Sequence, residues 1–516
     1  MADKRHSGIL LHPTSLPGLH GSGDLGLSAQ HFIDWLAIAG QSLWQILPLG
    51  GIGPGNSPYM SPSAFAGNEL LIDLLQLRDA GWLTAEDIEP DPLFRADRVN
   101  FQIVAPFRMS RLRLAAERFF AEGHPDTHNR FDQFCHAARN WLDDYALFMA
   151  IDKHYGGEHR VWQNWPQPLV QRKPKAICDA AFSLANECNF WKFCQWCFHT
   201  QWMRVKQYAN SRGIHIIGDI PIFVSSHSAD VWAHQGLFNL DDKGWPRVVA
   251  GVPPDYFSAT GQRWGNPLYR WEAHAKDSFK WWLARINAML AHCDIVRIDH
   301  FRGFESYWEI PAHSETAING CWRPGPGIAL FDAMKKAQKP ERKKHDGGPR
   351  IIAEDLGIIT PEVSALRKAA GFPGMRILQF AFDGKSDNLY LPHNFEANTV
   401  VYSGTHDNDT TRGWWNALTE PEQHYIRRYL GTTTNESIHW DMIRTASASV
   451  ATTCIIPMQD VLGLDSAHRM NKPGQSEGYW EWRFSWSQVE STHAERLCDL
   501  AMLHGRHPNA PPPAGC

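Results

Sequence analysis

Eight short apolar runs are the feature that most constrains the fold of this chain. Each run is rich in Ile, Val, Leu or aromatic residues, and helical or irregular stretches separate them. Near-continuous apolar runs are typical of strands that are covered on both faces, as in parallel sheets. Such strands alternating with helices predict an α/β fold, a (β/α)8 TIM barrel. The runs cover residues 8–13, 42–49, 214–222, 294–299, 350–356, 376–382, 400–407 and 452–460.

The spacing of the runs is uneven, and this predicts large helical and loop insertions. The long gap after the second run has helical patterning, so we expect residues 75–205 to form an inserted, mainly helical subdomain. Residues 223–275 are rich in Gly, Pro, Trp and Asp and are predicted to be an inserted, ordered loop region. Barrels with insertions reach 516 residues as one unit, so residues 1–516 are expected to be a single barrel.

Composition excludes several classes of partner. The formal net charge is −5 and no dense basic stripe occurs, which argues against nucleic acid. No run of 18 apolar residues occurs, so no membrane span is expected. The 10 cysteines are scattered, and Met1 to His6 lack the apolar stretch of a secretory signal. We therefore expect a cytoplasmic protein with reduced thiols, and its oligomeric state stays open.

The sequence offers no motif for nucleotide or metal chemistry. It contains no P-loop, no G-x-G-x-x-G after a first strand and no H-E-x-x-H. One C-x-x-C pair, Cys194 and Cys197, lies in a stretch that is typical of a continuous helix, and a single pair is a weak metal signal. We expect neither a metal site nor a cofactor.

Four carboxylates lie at or near the ends of the apolar runs: Asp219, Asp299, Glu354 and Asp407. In a barrel, the carboxyl-terminal ends of the strands open onto the active-site face. One acid in such a place is commonly a cap for the following helix. Four acids in the same topological place favour a catalytic cluster instead.

Strand alternation assigns directions to these side chains. Arg297 and Asp299 are two residues apart and therefore point to one face, where a guanidinium favours the ionised carboxylate that a nucleophile needs. Glu354 and Asp355 point to opposite faces, so only one of them can enter the site. An acid with apolar neighbours and a nearby negative charge keeps its proton at neutral pH, and Glu354 is the candidate for this role.

Paired carboxylates in an aromatic-rich chain indicate glycosyl transfer. A retaining mechanism uses one carboxylate as nucleophile and one as acid and then base. Asp407 adds negative charge beside the electron-poor anomeric carbon, and His406 is placed to donate to a sugar hydroxyl. The 23 tryptophans offer flat faces for sugar rings, although most of them are expected to fill the core.

The chain resembles the 4-α-glucanotransferases, also called amylomaltases or disproportionating enzymes, over nearly its whole length. The matching stretches occur in family order and include SGILLHPTSLPG, NSPYMSPSAFAGNELLIDL, IIGDIPIFV, GVPPDYFSATGQRWGNPLYRW, IVRIDHFRGFESYWEIP, IIAEDLGIITPEV, SGTHDNDTTRGWW and RMNKPG. The resemblance implies transfer of α-1,4-linked glucan segments from a donor to the 4-hydroxyl of an acceptor, through a covalent glycosyl-enzyme. Its implied partners are α-1,4-glucans and maltooligosaccharides.

The resemblance also implies residue roles. Asp299 looks like the nucleophile, Glu354 like the acid/base, and Asp407 like the third acid that holds the distorted sugar. The segment 223–275 is similar to a loop region that covers the active site. The positions that match substrate-binding residues of the family are Ser57, Tyr59, Asp219, Asp255, Trp264, Arg297, His406 and Asn471.

Two alternative functions remain open at this point. An α-glucan hydrolase would use the same acids, and it would differ only in letting water resolve the intermediate. A non-catalytic glucan-binding protein would need the aromatic residues but not three convergent acids, so the presence of Asp299, Glu354 and Asp407 argues against it.

Overall fold

A computed structural model describes residues 4–156, 161–254, 258–337, 351–432, 437–475 and 477–510. Its strands are β1 (His6–Leu10), β2 (Leu43–Gln45), β3 (His215–Pro221), β4 (Val248–Val252), β5 (Gln262–Pro267), β6 (Ile295–Asp299), β7 (Ser306–Pro311), β8 (Cys321–Pro324), β9 (Ile351–Ala353), β10 (Gly374–Ile377), β11 (Thr399–Tyr402) and β12 (Thr453–Pro457). Its α-helices are α1 (Leu27–Ile38), α2 (Leu74–Asp79), α3 (Phe101–Glu122), α4 (Pro125–Tyr155), α5 (Gln167–Val170), α6 (Pro174–Ser183), α7 (Ala185–Ser211), α8 (Ala229–Ala233), α9 (Trp271–Lys276), α10 (Lys280–His292), α11 (Ile328–Ala337), α12 (Pro361–Ala370), α13 (Thr411–Ala417), α14 (Glu420–Leu430), α15 (Ile438–Ala448), α16 (Met458–Val461) and α17 (Ser491–Leu503).

Eight parallel strands form a closed barrel. They follow one another around the ring as β1, β2, β3, β6, β9, β10, β11 and β12, and β12 pairs again with β1. Between β9 and β10 the ring is joined by a hydrogen bond of 2.9 Å from the Ala353 amide to the Pro373 carbonyl. Each predicted apolar run overlaps one barrel strand, so the prediction of a (β/α)8 barrel is confirmed.

The run at 376–382 has a different boundary from the strand it predicted. β10 is Gly374–Ile377, and the chain then turns through a 3-10 helix at Leu378–Phe380. Leu378 and Ala381 are buried although they lie beyond the strand. Apolar patterning reports burial, and it therefore continues past the point where the ladder of hydrogen bonds stops.

Local signals set the ends of α12, which covers the barrel after β9. Pro361 occupies its first turn, where a missing amide N–H has no cost. Gly371 ends the helix in the left-handed conformation at φ 82°, which residues with a Cβ rarely adopt. Val363, Leu366 and Ala370 lie on the face that is buried against the barrel.

The predicted helical segment 75–205 contains α3 to α6, together with most of α2 and α7. The long helices α4 and α7 lie against each other, with contacts such as Phe131 to Trp196, whose ring centroids are 5.9 Å apart. Cys194 and Cys197 are buried within α7, and burial raises the pKa of both thiols well above the usual value. Cys194 and Cys197 are therefore core residues of the packed helices.

A small antiparallel sheet with the order β5-β4-β7-β8 lies beside the barrel. The segment 223–275, predicted as a loop region, supplies α8, β4, β5 and most of α9, so it carries more regular structure than expected. β4 pairs with β7, which comes from the next insertion, between β6 and β9. Partly exposed strands whose partners lie so far along the chain leave little local signal.

Within the described residues, none of the helices combines the length and the apolar character that crossing a bilayer requires.

Candidate active site

The four predicted carboxylates lie at the carboxyl-terminal end of the barrel. Asp219 belongs to β3 and Asp299 ends β6, while Glu354 directly follows β9 and Asp407 follows β11. Hydrogen bonds through neighbouring side chains and backbone groups connect these elements, so the fold brings together acids that are far apart in the chain.

Arg297 joins two of the carboxylates. Its Nη1 donates to both oxygens of Asp219, at 2.8 and 2.6 Å, and its Nη2 donates to Asp299 Oδ1 at 2.8 Å. Burial alone would lower the pKa of Arg297, but the charges of Asp219 and then Asp299 raise it well above the usual value. The guanidinium therefore stays cationic and stabilises the ionised carboxylate of Asp299, as the two-residue spacing predicted.

Glu354 is held by two backbone amides. Its Oε2 accepts from the His300 amide at 2.6 Å and its Oε1 from the Leu356 amide at 2.8 Å. Burial, followed by the negative charge of Asp299, raises the pKa of Glu354 to about 8, against the opposing effects of Arg297 and the two amides. Glu354 is thus a carboxylic acid at neutral pH, which fits a proton donor.

His300 obtains this contact through an uncommon backbone conformation. Its φ of 51° lies in the left-handed region, which non-glycine residues seldom occupy and which is enriched at functional sites. The turn directs the His300 amide towards Glu354 immediately after Asp299. The two acids are therefore connected by one residue and one hydrogen bond.

Asp355 points away from the site. It is buried, its Oδ1 accepts from the Met375 amide at 2.7 Å, and its Oδ2 lies 3.1 Å from Arg367 Nε. This carboxylate connects β9 to β10 and α12. The sequence-based choice of Glu354 over Asp355 agrees with these positions.

Tyr59 connects the side of the site formed by Asp219 with the side formed by His406. Its hydroxyl donates to Asp219 Oδ2 at 2.7 Å and lies 2.9 Å from His406 Nε2, while its ring stacks on the imidazole with centroids 5.4 Å apart. Because the only hydroxyl proton goes to the carboxylate, His406 Nε2 must be the donor in the second bond. Ser57 caps this turn by accepting from the Tyr59 amide at 3.3 Å.

Asp407 is positioned by the segment 469–471. Asn471 Nδ2 donates to Asp407 Oδ1 at 2.7 Å, and the Asn471 amide donates to the His406 carbonyl at 3.1 Å. Arg469 Nη2 donates to the Asp407 carbonyl at 2.9 Å. The Asp407 side chain is still 43% exposed, so it remains accessible to solvent.

Trp264, in β5, contacts the residue that follows Asp299. Its ring meets the His300 ring edge to face, with centroids 4.9 Å apart at 85°, and its Nε1 donates to Gln262 at 3.1 Å. Asp255, the remaining predicted binding residue, lies outside the described residues.

Three residues of the site were missed by sequence reasoning: His300, Arg469 and Trp480. Trp480 also has a positive φ, 68°, and its ring lies 5.7 Å from Tyr59. His300 lies inside the stretch IVRIDHFRGF and Arg469 directly precedes MNKPG, so the motifs contained both. Nothing in the sequence indicated that backbone groups rather than side chains would make several of the contacts. Among the described residues, no cluster of His, Cys, Asp and Glu is arranged to hold a metal ion.

Comparisons with known proteins fit this geometry. A sequence model of the family described as 4-alpha-glucanotransferase matches residues 11–489. The 4-alpha-glucanotransferase of Synechocystis sp. is 48% identical over 508 residues, covering 98% of this chain and 99% of the relative. The 4-alpha-glucanotransferase of Thermus thermophilus is 47% identical over 504 residues, covering 96% and 98%. The amylomaltase from Streptococcus agalactiae, solved in complex with acarbose, has a TM-score of 0.93 at 37% identity, covering 98% of this chain and 100% of that one.

Both the family match and the relatives extend over nearly the whole chain, and the solved structure has the same fold. The resemblance that the motifs indicated is therefore confirmed. The chain belongs to the 4-alpha-glucanotransferase family, and it is a retaining enzyme that transfers segments of α-glucans.

Proposed function

We propose that Asp299 is the nucleophile and Glu354 the acid/base of this transfer, and that Asp407 stabilises the distorted sugar. One observation carries the proposal: Arg297 binds the carboxylate of Asp299, and the amide of the next residue, His300, binds Glu354. A retaining enzyme needs these two protonation states side by side. The proposed substrates are α-1,4-linked maltooligosaccharides and longer glucans.

In the first step, Glu354 donates its proton to the glycosidic oxygen while Asp299 attacks the anomeric carbon. The bond to the leaving sugar breaks, the leaving 4-hydroxyl takes the proton, and an ester joins the donor glucan to Asp299. The oxocarbenium-like transition state carries positive charge, which Asp407 and the ionised Asp299 stabilise electrostatically.

In the second step, Glu354 acts as a base. Esterification removes the negative charge of Asp299, which is one of the causes of the raised pKa of Glu354. The pKa of Glu354 therefore falls in the intermediate, and its carboxylate can take the proton of an acceptor 4-hydroxyl. That oxygen attacks the anomeric carbon, the ester breaks, and Asp299 is released as a carboxylate.

The other predicted residues would orient the sugar at the cleavage site. Asp219 and His406 are each held by Tyr59, and Asn471 holds Asp407, so their remaining hydrogen-bonding capacity has a fixed direction. Fixed donors and acceptors lose little entropy when a sugar hydroxyl binds. The acarbose bound to the Streptococcus agalactiae amylomaltase supports a site for a maltooligosaccharide-like ligand here.

The acceptor side decides between transfer and hydrolysis. We propose that segment 223–275 covers this side, that Trp264 stacks on the acceptor sugar, and that Asp255 binds its hydroxyls. A bound and aligned hydroxyl can reach an effective concentration of about 10⁵ M, well above that of bulk water. Packing of Trp264 against His300 places the aromatic ring beside the residue that holds Glu354.

Incubation with maltotriose tests the proposal. We expect glucose and a series of longer maltooligosaccharides, with a nearly constant number of reducing ends. Trp264→Ala should raise the share of hydrolysis, whereas Trp245→Ala, a change of an exposed tryptophan in the same segment, should leave product distribution unchanged. A steady rise in reducing ends without longer chains would identify a hydrolase and reject the proposed acceptor site.

We also infer that the enzyme works in the cytoplasm. The described cysteines are free thiols, which is typical of a reducing compartment. Fractionation of the source cells with an antibody against the protein would test this location.

A further inference from the structure

A second cavity lies in the helical insertion, away from the carboxylates. It has a volume of about 480 Å³ and lies between α2, α3, α4 and α7. None of its lining residues belongs to the candidate active site. Its size falls in the range of small-molecule sites, which is about 300 to 1,000 Å³.

Arginines from three helices converge on this cavity: Arg118 from α3, Arg130 from α4 and Arg204 from α7. Arg118 is paired with Asp87. Arg130 donates to Thr127 Oγ1 at 3.3 Å, and Arg204 donates to Gln76 Oε1 at 3.1 Å. Both of these side chains are exposed, and within the described ranges neither forms an ion pair with a carboxylate.

The cavity carries an excess of positive charge. Asp87 neutralises Arg118, which leaves Arg130 and Arg204 against one acidic residue among the described lining residues, Glu122. The first turn of α4, at Thr127, also contributes to the wall, and the amino-terminal end of a helix carries partial positive charge. In a chain with a formal net charge of −5, this local balance favours an anionic ligand.

Another part of the lining is apolar and aromatic. Trp82, Trp196, Leu77 and Cys197 line it, and the Trp82 and Trp196 rings pack against each other with centroids 5.7 Å apart. Trp82 is only half-buried, so part of its ring faces the cavity. Such a wall suits the C–H face of a sugar ring, and the guanidinium groups suit the oxygens of a phosphate.

We propose that this cavity binds a phosphorylated monosaccharide. Arg130 and Arg204 bind the phosphate, and Trp82 contacts the sugar ring. Arg130 and Arg204 offer charge-assisted hydrogen bonds that a phosphate can accept at both groups, whereas a neutral glucan brings no charge to pair with them, so the anionic sugar is the better match. The inference is independent of the catalytic roles proposed above, because the two sites share no residue.

Isothermal titration with glucose 6-phosphate tests this site. We expect one molecule bound per chain, and an affinity that falls about tenfold or more in the Arg130→Gln/Arg204→Gln variant because charge-assisted bonds to phosphate are lost. Arg139→Gln removes the same charge from a position on α4 that does not line the cavity, and this variant should bind as the wild type does. Glu122→Gln should bind more tightly, because it removes the opposing charge.

Glucose and inorganic phosphate separate the two halves of the proposal. Glucose should show no binding that depends on Arg130 and Arg204, and phosphate should bind more weakly than glucose 6-phosphate. Transfer from maltotriose should be unchanged in the double variant, which shows that it is folded. The proposal is overturned if glucose 6-phosphate does not bind at about 10 mM, if the double variant binds it as tightly as the wild type does, or if glucose binds equally well and loses that binding in the double variant.

Discussion

The raised pKa of Glu354 predicts the alkaline limb of the pH profile. The carboxyl would ordinarily have a pKa of 4.5, and in this site burial and Asp299 raise it to about 8. At pH 7 about nine-tenths of the enzyme then carries the proton, whereas an unperturbed carboxyl would be protonated in about one molecule in 300. The difference corresponds to about 5 kcal/mol of preference for the protonated form.

The assay is glucose release from maltotriose at low concentration, because kcat/KM reports the free enzyme. Measured at constant ionic strength, kcat/KM should be flat near neutral pH and should fall about tenfold per pH unit once the pH exceeds about 8, since the proton donor is lost. A limb with its midpoint below about pH 6 would refute the assignment of Glu354 as a buried general acid.

A change in burial should move this limb. Trp264→Ala removes the ring that packs against His300 and admits water beside the amide that holds Glu354. Since burial is the main cause of the raised pKa, the limb should shift to lower pH. Trp245→Ala should leave it in place, and an equal shift in both variants would mean that the limb reports another group.

Three further substitutions test the site. Asp299→Asn should reduce turnover of maltotriose by several orders of magnitude. No covalent glycosyl-enzyme should then be detected by mass spectrometry. Near-normal turnover would exclude Asp299 as the nucleophile. Tyr59→Phe removes the bonds to Asp219 and His406. It should lower kcat/KM by an amount that corresponds to a loss of about 1–3 kcal/mol of transition-state stabilisation. The matched Tyr402→Phe removes one buried hydroxyl without touching the site residues and should change thermal stability more than kcat/KM. Arg297→Gln leaves a buried carboxylate unpaired and should lower the free energy of unfolding in urea by about 3–5 kcal/mol, and an unchanged urea midpoint would contradict the ion-pair geometry.

The sequence predicted the barrel because buried strands are rich in apolar residues, and such runs can be recognised in the sequence. Strands covered on both faces are near-continuous apolar runs, and this made all eight visible. The small sheet of β4, β5, β7 and β8 was not visible, because its strands are partly exposed and its pairing joins two separate insertions. Its stability comes from partners that the local sequence does not specify.

For the site, the sequence by itself determined which acids lie on the active-site face and that Arg297 and Asp299 share a side, since both follow from strand position and from the two-residue period. The family motifs then assigned the roles. Only the tertiary structure decided the contact from the left-handed His300 to Glu354, the tautomer that Tyr59 imposes on His406, and the convergence of Arg130 and Arg204 on one cavity. These features depend on backbone direction and on elements far apart in the chain, where side-chain identity carries no information about distance.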